Sequence, residues 1–336
     1  MTRLVCPSDQ SALSAAGESL TCPSCGRSYP VREGIARFVS AIADDSQKQV
    51  EAGFAYKWTR DEWGFEPKHI ELMQEFFWTR FGFSSHADVA ALFGGKTVLH
   101  AGIGSGQCEQ HYLQHCREVW GLDISQSVDA AQRNWHKHYP DLAGRLHLVQ
   151  ADLMSMPFDD GAFDIVFSDG VLHHTPDTRA ALGAITAKVR PGGLVVFYVY
   201  KKKAPIREFV DTYLRDRISD LPPEQAWQAM EPLTALARDL SRQKLQIAVP
   251  QDIPLLELQA GTFDLQRWLY WNVMKLYWNE LLDFDGNNHV NYDWYYPKYA
   301  WRHTAQEVQN WLDELRLETL HLQAGDSGIS VIARKG

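Results

Sequence analysis

Three things are scarce in this 336-residue sequence: cysteine, long apolar runs and positive charge. The longest apolar run, Leu194 to Tyr200, is far short of the ~20 residues a membrane-spanning helix needs. The opening "MTRLVCPSDQ" lacks the apolar stretch of a secretory signal, so a cytoplasmic address with reduced cysteines is expected. Positive charge is in deficit: the formal net charge is −9 and the sequence pI about 5.8, a balance that repels polyphosphate and weighs against a nucleic-acid partner. Internal repeats and low-complexity tracts are absent. What remains, 45% hydrophobic and 22% charged residues, is the composition of a globular chain with a buried core. The length exceeds what one core usually holds, so one large domain with appendages is expected.

Organisation follows from shifts in pattern. Three of the five cysteines, Cys6, Cys22 and Cys25, fall in the first 25 residues and set residues 1–40 apart; Cys108 and Cys116 lie far downstream. Residues 41–95 are polar and aromatic and read as helical, with Ser84 or Ser85 capping a helix that stops at Gly94-Gly95. From Thr97, apolar strands "TVLHAG", "EVWGLDIS", "LHLVQAD", "FDIVFSDG" and "GGLVVFYVY" alternate with helical stretches near 107–116, 125–138 and 177–189. That rhythm specifies parallel strands with crossover helices: an α/β, doubly wound, Rossmann-like core over 96–200 that resumes at 304–336. Residues 201–303 break the rhythm as a mostly helical, aromatic-rich insertion.

The segment "VLHAGIGSGQ" runs from a strand into Gly102, Gly104 and Gly106, a G-x-G-x-G spacing distinct from the G-x-G-x-x-G of dinucleotide enzymes. Seventeen residues after Gly106, Asp123 ends the next strand, where a carboxylate can accept both hydroxyls of a ribose. Asp152 ends the third strand in "QADLMSMPF", "FDIVFSDGVLHH" ends the fourth at the crevice where open sheets bind ligands, and "RPGG" turns into the fifth. In combination and order these motifs resemble a class I S-adenosylmethionine-dependent methyltransferase, close to the small-molecule group that includes the ubiquinone and menaquinone enzymes.

The resemblance implies a seven-stranded sheet and S-adenosyl-L-methionine as cofactor. It implies that Gly102, Gly104 and Gly106 underlie the methionine portion, Asp123 binds the ribose, Ile124 packs on the adenine, Asp152 with Leu153 binds the adenine edge, and Asp169 with Gly170 lines the sulfonium pocket. The family's carboxylate in the first motif is missing, and His100 stands in its place. A neutral imidazole there can accept from the methionine ammonium and a protonated one would repel it, so cofactor affinity is expected to fall as pH drops from 8 to 5.5. His100→Asp is expected to flatten that dependence and tighten binding. In the other reading His100 turns into the sheet and backbone carbonyls of the glycine loop take the ammonium. The nearest candidate bases are His173 and His174, just after the fourth strand.

"CPSDQ" and "TCPSCGRSYPVREGIARF" outline two knuckles about fifteen residues apart, as in a zinc ribbon. They resemble the small zinc-ribbon protein that accompanies several methyltransferases, some of them ribosomal-RNA enzymes. Its first knuckle is C-x-x-C; here it is Cys6-Pro7-Ser8-Asp9, so the candidate ligands for a structural Zn²⁺ are Cys6, Asp9, Cys22 and Cys25. The other reading is a ribbon without metal, held by packing of Leu4, Tyr29, Val31, Ile35 and Phe38.

In the insertion, Leu265, Trp268, Leu269, Val273 and Leu276 have helical spacing and read as core. "NYDWYYPKYAWRHT" lacks amphipathic spacing and reads as a loop over the acceptor, with Tyr292, Trp294, Tyr295, Tyr296 and His303 as candidate contacts. "YKKKAPIR" reads either as a solvated turn or as a receiver of an anionic acceptor. The expected activity is methyl transfer to oxygen or nitrogen of a small or medium-sized metabolite. An RNA methyltransferase, suggested by the ribbon and opposed by the charge, and a cofactor-binding partner subunit without activity are the alternatives; oligomeric state is not legible. A nicotinamide dehydrogenase is disfavoured by the glycine spacing.

Overall fold

The computed structural model describes residues 4–39, 42, 44–60 and 64–336; the helical reading of 41–95 therefore crosses 61–63, which lie outside the described residues. Four short strands come first: β1 (Ser14–Ala16), β2 (Ser19–Thr21), β3 (Ser28–Arg32) and β4 (Ile35–Arg37). Helices α1 (Asp45–Arg60), α2 (Pro67–Phe81) and α3 (His86–Phe93) follow. Ser85 Oγ accepts from the Asp88 amide at 3.3 Å and caps α3, while Gly94 closes it. The alternating section comprises β5 (Thr97–Ala101), β6 (Glu118–Asp123), α4 (Ser127–His138), α5 (Pro140–Ala143), β7 (Leu146–Gln150), β8 (Phe163–Asp169), α6 (Thr178–Lys188) and β9 (Val189–Tyr200). The insertion supplies α7 (Pro205–Ile218), α8 (Pro223–Gln243), β10 (Gln246–Val249), β11 (Gly261–Asp264), α9 (Leu265–Asn272) and α10 (Phe284–Tyr295). The chain closes with α11 (Ala305–Glu314), β12 (Leu317–Ala324) and β13 (Gly328–Lys335).

The chain divides into two compact units. The larger holds Met1–Asp44, Trp58–Lys201 and Trp301–Gly336, and the smaller holds Asp45–Lys57 and Lys202–Ala300. In the larger unit the sheet order β7-β6-β5-β8-β9-β13-β12 is the seven-stranded arrangement expected, parallel except for β13 against both its neighbours. All five residues of β5 are buried, as a central parallel strand covered on both faces requires. Strand order reverses between β5 and β8, which opens the ligand crevice at their carboxyl ends.

Two features go beyond the expectation. The amino-terminal strands continue the sheet instead of standing apart: β4 pairs in parallel with β7 through Ala36↔Val149 and Arg37↔Gln150, giving eleven strands in all. Cys6, Cys22, Tyr29 and Phe38 share one hydrophobic cluster with Leu99, Val166 and Phe197 of the sheet. The stretch read as helix near 107–116 is instead two 3₁₀ turns, Cys108–His111 and Leu113–His115, whose tighter winding buries Glu109, His111 and Leu113 together.

The smaller unit packs α8, α9 and α10 around Ala237, Leu276 and Trp278, sets α7 against α9 and α10, and adds a two-stranded antiparallel pair, β10 and β11, that helical periodicity did not suggest. Of the apolar series from Leu265, only Leu265, Trp268 and Leu269 lie in α9; the helix ends at Asn272, and Leu276 is buried from an irregular segment. No described helix is long and apolar enough to cross a membrane.

Candidate cofactor and metal sites

Immediately after β5 the backbone of Gly102 and Gly106 is left-handed, with φ of 92° and 81°. A Cβ at Gly102 would lie 2.3 Å from the Val171 side chain, so both conformation and space demand glycine. Asp123 at the end of β6 braces this loop. Its Oδ2 accepts from the Gly104 amide at 3.0 Å, and its Oδ1 accepts from the amide and hydroxyl of Ser125 at 2.9 and 2.8 Å. The Trp58 indole lies against Gly104, 3.1 Å from where a Cβ would stand.

His100 faces inward from β5 and is 1% exposed. Its Nδ1 is hydrogen-bonded to Glu109 Oε1, which also accepts from the Tyr112 hydroxyl at 2.7 Å, and its ring packs on Phe167 at 4.7 Å. Glu109 is completely buried. His100 Nε2 and Glu109 Oε2 have no hydrogen-bond partner among the described residues. The carboxylate missing from position 100 is thus found beside it, supplied nine residues later. Nothing in the sequence marks Glu109, because an acid opening a presumed helix reads as a partner of the helix dipole.

The remaining candidates line the carboxyl ends of the strands. Asp152 Oδ1 accepts from the Met154 amide at 2.8 Å and caps a 3₁₀ turn in which Leu153 is buried. The Ile124 carbonyl accepts from Gln150 Nε2 at 3.0 Å. Asp169 ends β8 and is gripped by Arg80 of α2, whose Nη1 donates to both carboxylate oxygens at 2.7 and 2.8 Å. The Arg80 guanidinium also covers the Tyr198 ring at 4.1 Å. Burial opposes its charge, but Asp169 outweighs burial and raises its pKa above the usual range. Sequence reasoning missed Arg80, which is one cation among many in a helical segment. Gly170 next to Asp169 is left-handed at φ 76°. Burial, then the charges of Asp169 and Glu109, push the Cys108 thiol well up, which makes it a poor nucleophile.

His173 is fully buried, its Nδ1 accepts from the Tyr200 amide at 3.3 Å, and its ring lies 3.7 Å from the Tyr200 ring. His174 adjoins it, with ring centroids 4.3 Å apart. His303 donates from its amide to the Tyr200 carbonyl at 2.9 Å, and its Nε2 meets Thr178 Oγ1 at 3.0 Å. The segment read as a loop over a pocket begins as the last turn of α10, which carries Tyr292, Trp294 and Tyr295 and ends at Tyr295; from Tyr296 onward it is irregular, as expected. Tyr292, Trp294, Tyr295 and Tyr296 are each buried. The reason is polar as well as apolar: Asp211 accepts from Trp294 Nε1 at 2.7 Å and from the Tyr295 hydroxyl at 2.8 Å, and the Tyr296 hydroxyl donates to the Leu221 carbonyl.

At the amino terminus, one ligand atom each from Cys6, Asp9, Cys22 and Cys25 fall within 4.8 Å of one another. Cys6 Sγ and Cys25 Sγ are 3.7 Å apart and Cys22 Sγ lies 3.4 Å from Asp9 Oδ2. A tetrahedron with Zn–S bonds of ~2.3 Å has S···S edges of ~3.8 Å, so the donor set fits that ion.

Residues 99–197 match the family described as a methyltransferase domain, and residues 4–34 match Trm112p-like proteins. Among curated relatives, the chain is 34% identical over 104 residues to the O-methyltransferase cnsE of Penicillium expansum, covering 30% of this chain and 37% of that one. It is 30% identical over 152 residues to a ubiquinone biosynthesis O-methyltransferase of Chromobacterium violaceum, covering 45% and 60%. A malonyl-[acyl-carrier protein] O-methyltransferase of Salmonella typhimurium is 29% identical over 135 residues, covering 40% and 45%. The chain spans less than two thirds of the length of each of these relatives.

Proposed function

We propose that this chain, whose residues 99–197 match a methyltransferase domain, is a class I S-adenosylmethionine-dependent methyltransferase that transfers a methyl group to an oxygen or nitrogen of a small or medium-sized metabolite. The observation that carries the reading is the bond from the Gly104 amide to Asp123, which ties the glycine turn to the ribose-side carboxylate at the crevice. In this reading Gly102, Gly104 and Gly106 cradle the methionine portion of the cofactor, with His100 and Glu109 beneath it. Asp123 takes the ribose, Ile124, Asp152 and Leu153 take the adenine, and Asp169 with Gly170 borders the sulfonium. When bound, the cofactor supplies a methyl group already activated on sulfur, so the chain's own work is alignment and proton removal.

The two histidines divide that work. Accepting the Tyr200 amide at Nδ1 places the proton of a neutral His173 on Nε2 and holds the ring against β9. His174 is then the proton acceptor of the pair. The helical insertion receives the acceptor, and Cys6, Asp9, Cys22 and Cys25 hold a structural zinc ion.

The test is calorimetric titration with S-adenosylmethionine, followed by transfer of labelled methyl to a metabolite panel and to total RNA. Asp123→Ala removes the ribose acceptor and releases Gly104, so affinity should fall at least tenfold, as loss of a charge-assisted bond implies at ~1.5 to 3 kcal/mol. Equal affinity in the two proteins removes the assignment, and label in RNA alone replaces the acceptor class.

A further inference from the structure

The smaller unit carries buried charge that neither the cofactor site nor the metal site uses. Asp211 of α7 is completely buried and fully engaged. Besides Trp294 and Tyr295 it accepts from Arg207 Nε at 3.2 Å and from the Lys275 amide at 3.3 Å. Arg207, 1% exposed, also donates to the Tyr270 carbonyl. Lys57, 5% exposed, is paired with Asp293. Lys275 is different. It is 7% exposed, its Nζ stands 4.8 Å from the centre of the Trp294 ring, and no described carboxylate lies within the 4.0 Å of an ion pair with it.

Two more cations face the same indole: Arg207 Cζ at 5.2 Å and Lys203 Nζ at 5.8 Å. Lys203 also lies 5.7 Å from the Trp271 ring, and both Lys203 and Trp271 are half-buried, which gives the cluster an edge towards solvent. Burial pulls the Lys275 ammonium down to about 7, with the charges of Asp293 and Asp211 opposing and those of Arg207 and Lys57 adding to the fall. Three cations around one ring repel each other, and a buried ammonium with no carboxylate in direct contact is costly. A leucine or methionine would fill the space at less expense. One seated anion would pair Lys275 and relieve the repulsion together.

We infer that this part of the smaller unit binds a single anionic group, a carboxylate or a phosphate, through Lys275 Nζ, with the indoles of Trp271 and Trp294 as its walls. Resting on the proposal that the insertion receives the acceptor, this makes the acceptor an anionic metabolite.

Thermal unfolding of the full chain tests it, in inorganic phosphate, in benzoate and in chloride at equal ionic strength. One of the first two should raise the melting temperature of the wild type beyond chloride. The Lys275→Arg variant should respond similarly, whereas Lys275→Met should need at least ~10-fold more anion for the same effect. Phosphate acting without benzoate identifies a phosphate, and the reverse a carboxylate. Equal responses of wild type and Lys275→Met, or no response beyond chloride, overturn the site. Should Lys275→Met not fold, the wild type decides by ¹⁵N resonance of the Lys275 ammonium, which must move with the effective anion and stay still if the site is misassigned. No S-adenosylmethionine enters these measurements. A chain that responds to the anion but fails to bind the cofactor loses the proposed activity and keeps the site.

Discussion

Placing a carboxylate at position 100 has the opposite consequence from the one the resemblance suggests. The His100 ring is bonded to Glu109 in a pocket where both are buried and Tyr112 donates to the same oxygen. His100→Asp would set two carboxylates against each other out of water, where one must stay protonated or both lose stability. Breaking such a buried pair costs on the order of 3 to 5 kcal/mol. The expected result is a lower melting temperature and weaker S-adenosylmethionine binding at pH 8. His100→Asp combined with Glu109→Gln should recover most of both, because the amide accepts or donates without charge. Denaturation and calorimetry on the single and double variants decide; a single variant as stable as the parent would show that the pair contributes nothing. The sequence could announce the missing acid but not its substitute, since Glu109 reaches His100 only through a turn whose winding is set by burial.

At the level of elements, strands were legible where burial on both faces makes a run predominantly apolar, as in Thr97–Ala101 and Phe163–Asp169. Irregular segments were not. The 3₁₀ turn Cys108–His111 has the composition of an ordinary helix, yet it carries a histidine that burial drives down to about 4, against the raising effects of Glu109 and Asp169. The sign is fixed by linkage: the unfolded chain takes up a proton near pH ~6.5, the folded chain only near 4, so stability is full above 6.5 and is lost as pH falls towards 4. His111 thereby makes a difference on the order of 3 kcal/mol between pH 7 and pH 4. Urea unfolding at pH 7, 5 and 4 should show the wild type losing more stability than His111→Phe, which keeps the stacking on Phe77. Parallel losses would exclude His111 as the cause. In the same way the last turn of α10, from Asn291 to Tyr295, was misjudged as loop because its aromatic residues carry no amphipathic period; Trp294 and Tyr295 bond Asp211, a polar group, rather than packing on an apolar face alone. The ribbon was legible from its cysteines, and its odd ligand makes a separate prediction. Purified protein should carry about one zinc per chain, and Asp9→Ala should lower its retention and the melting temperature, by metal analysis and calorimetry.

For the molecule as a whole, the pairing of β4 with β7 turns an appendage into the rim of the sheet. Without β4, one edge of β7 would present unpaired amides and carbonyls, a template for another chain. The join is made three times over: by the strand ladder, by Val5 N donating to the Pro157 carbonyl at 3.0 Å, and by Arg37 gripping Asp129 of α4. It also buries Tyr29, Ala36 and Phe38 in the main hydrophobic cluster, at roughly 1.5 to 3 kcal/mol for each large side chain. A chain beginning after Phe38 should therefore melt well below the full chain and should self-associate as its concentration rises, because the exposed rim and the uncovered apolar surface coincide. Light scattering and sedimentation at two concentrations separate the effects. A monomer that melts lower would mean that β4 contributes packing without protecting an edge, whereas a monomer that melts with the full chain would leave the ribbon no structural part in the sheet. Chelating zinc from the full chain tests the same coupling from the other side. If the tetrahedron at Cys6, Asp9, Cys22 and Cys25 orders the strands that reach β7, loss of metal should bring the concentration-dependent association of the shortened chain, and dialysis against zinc should reverse it.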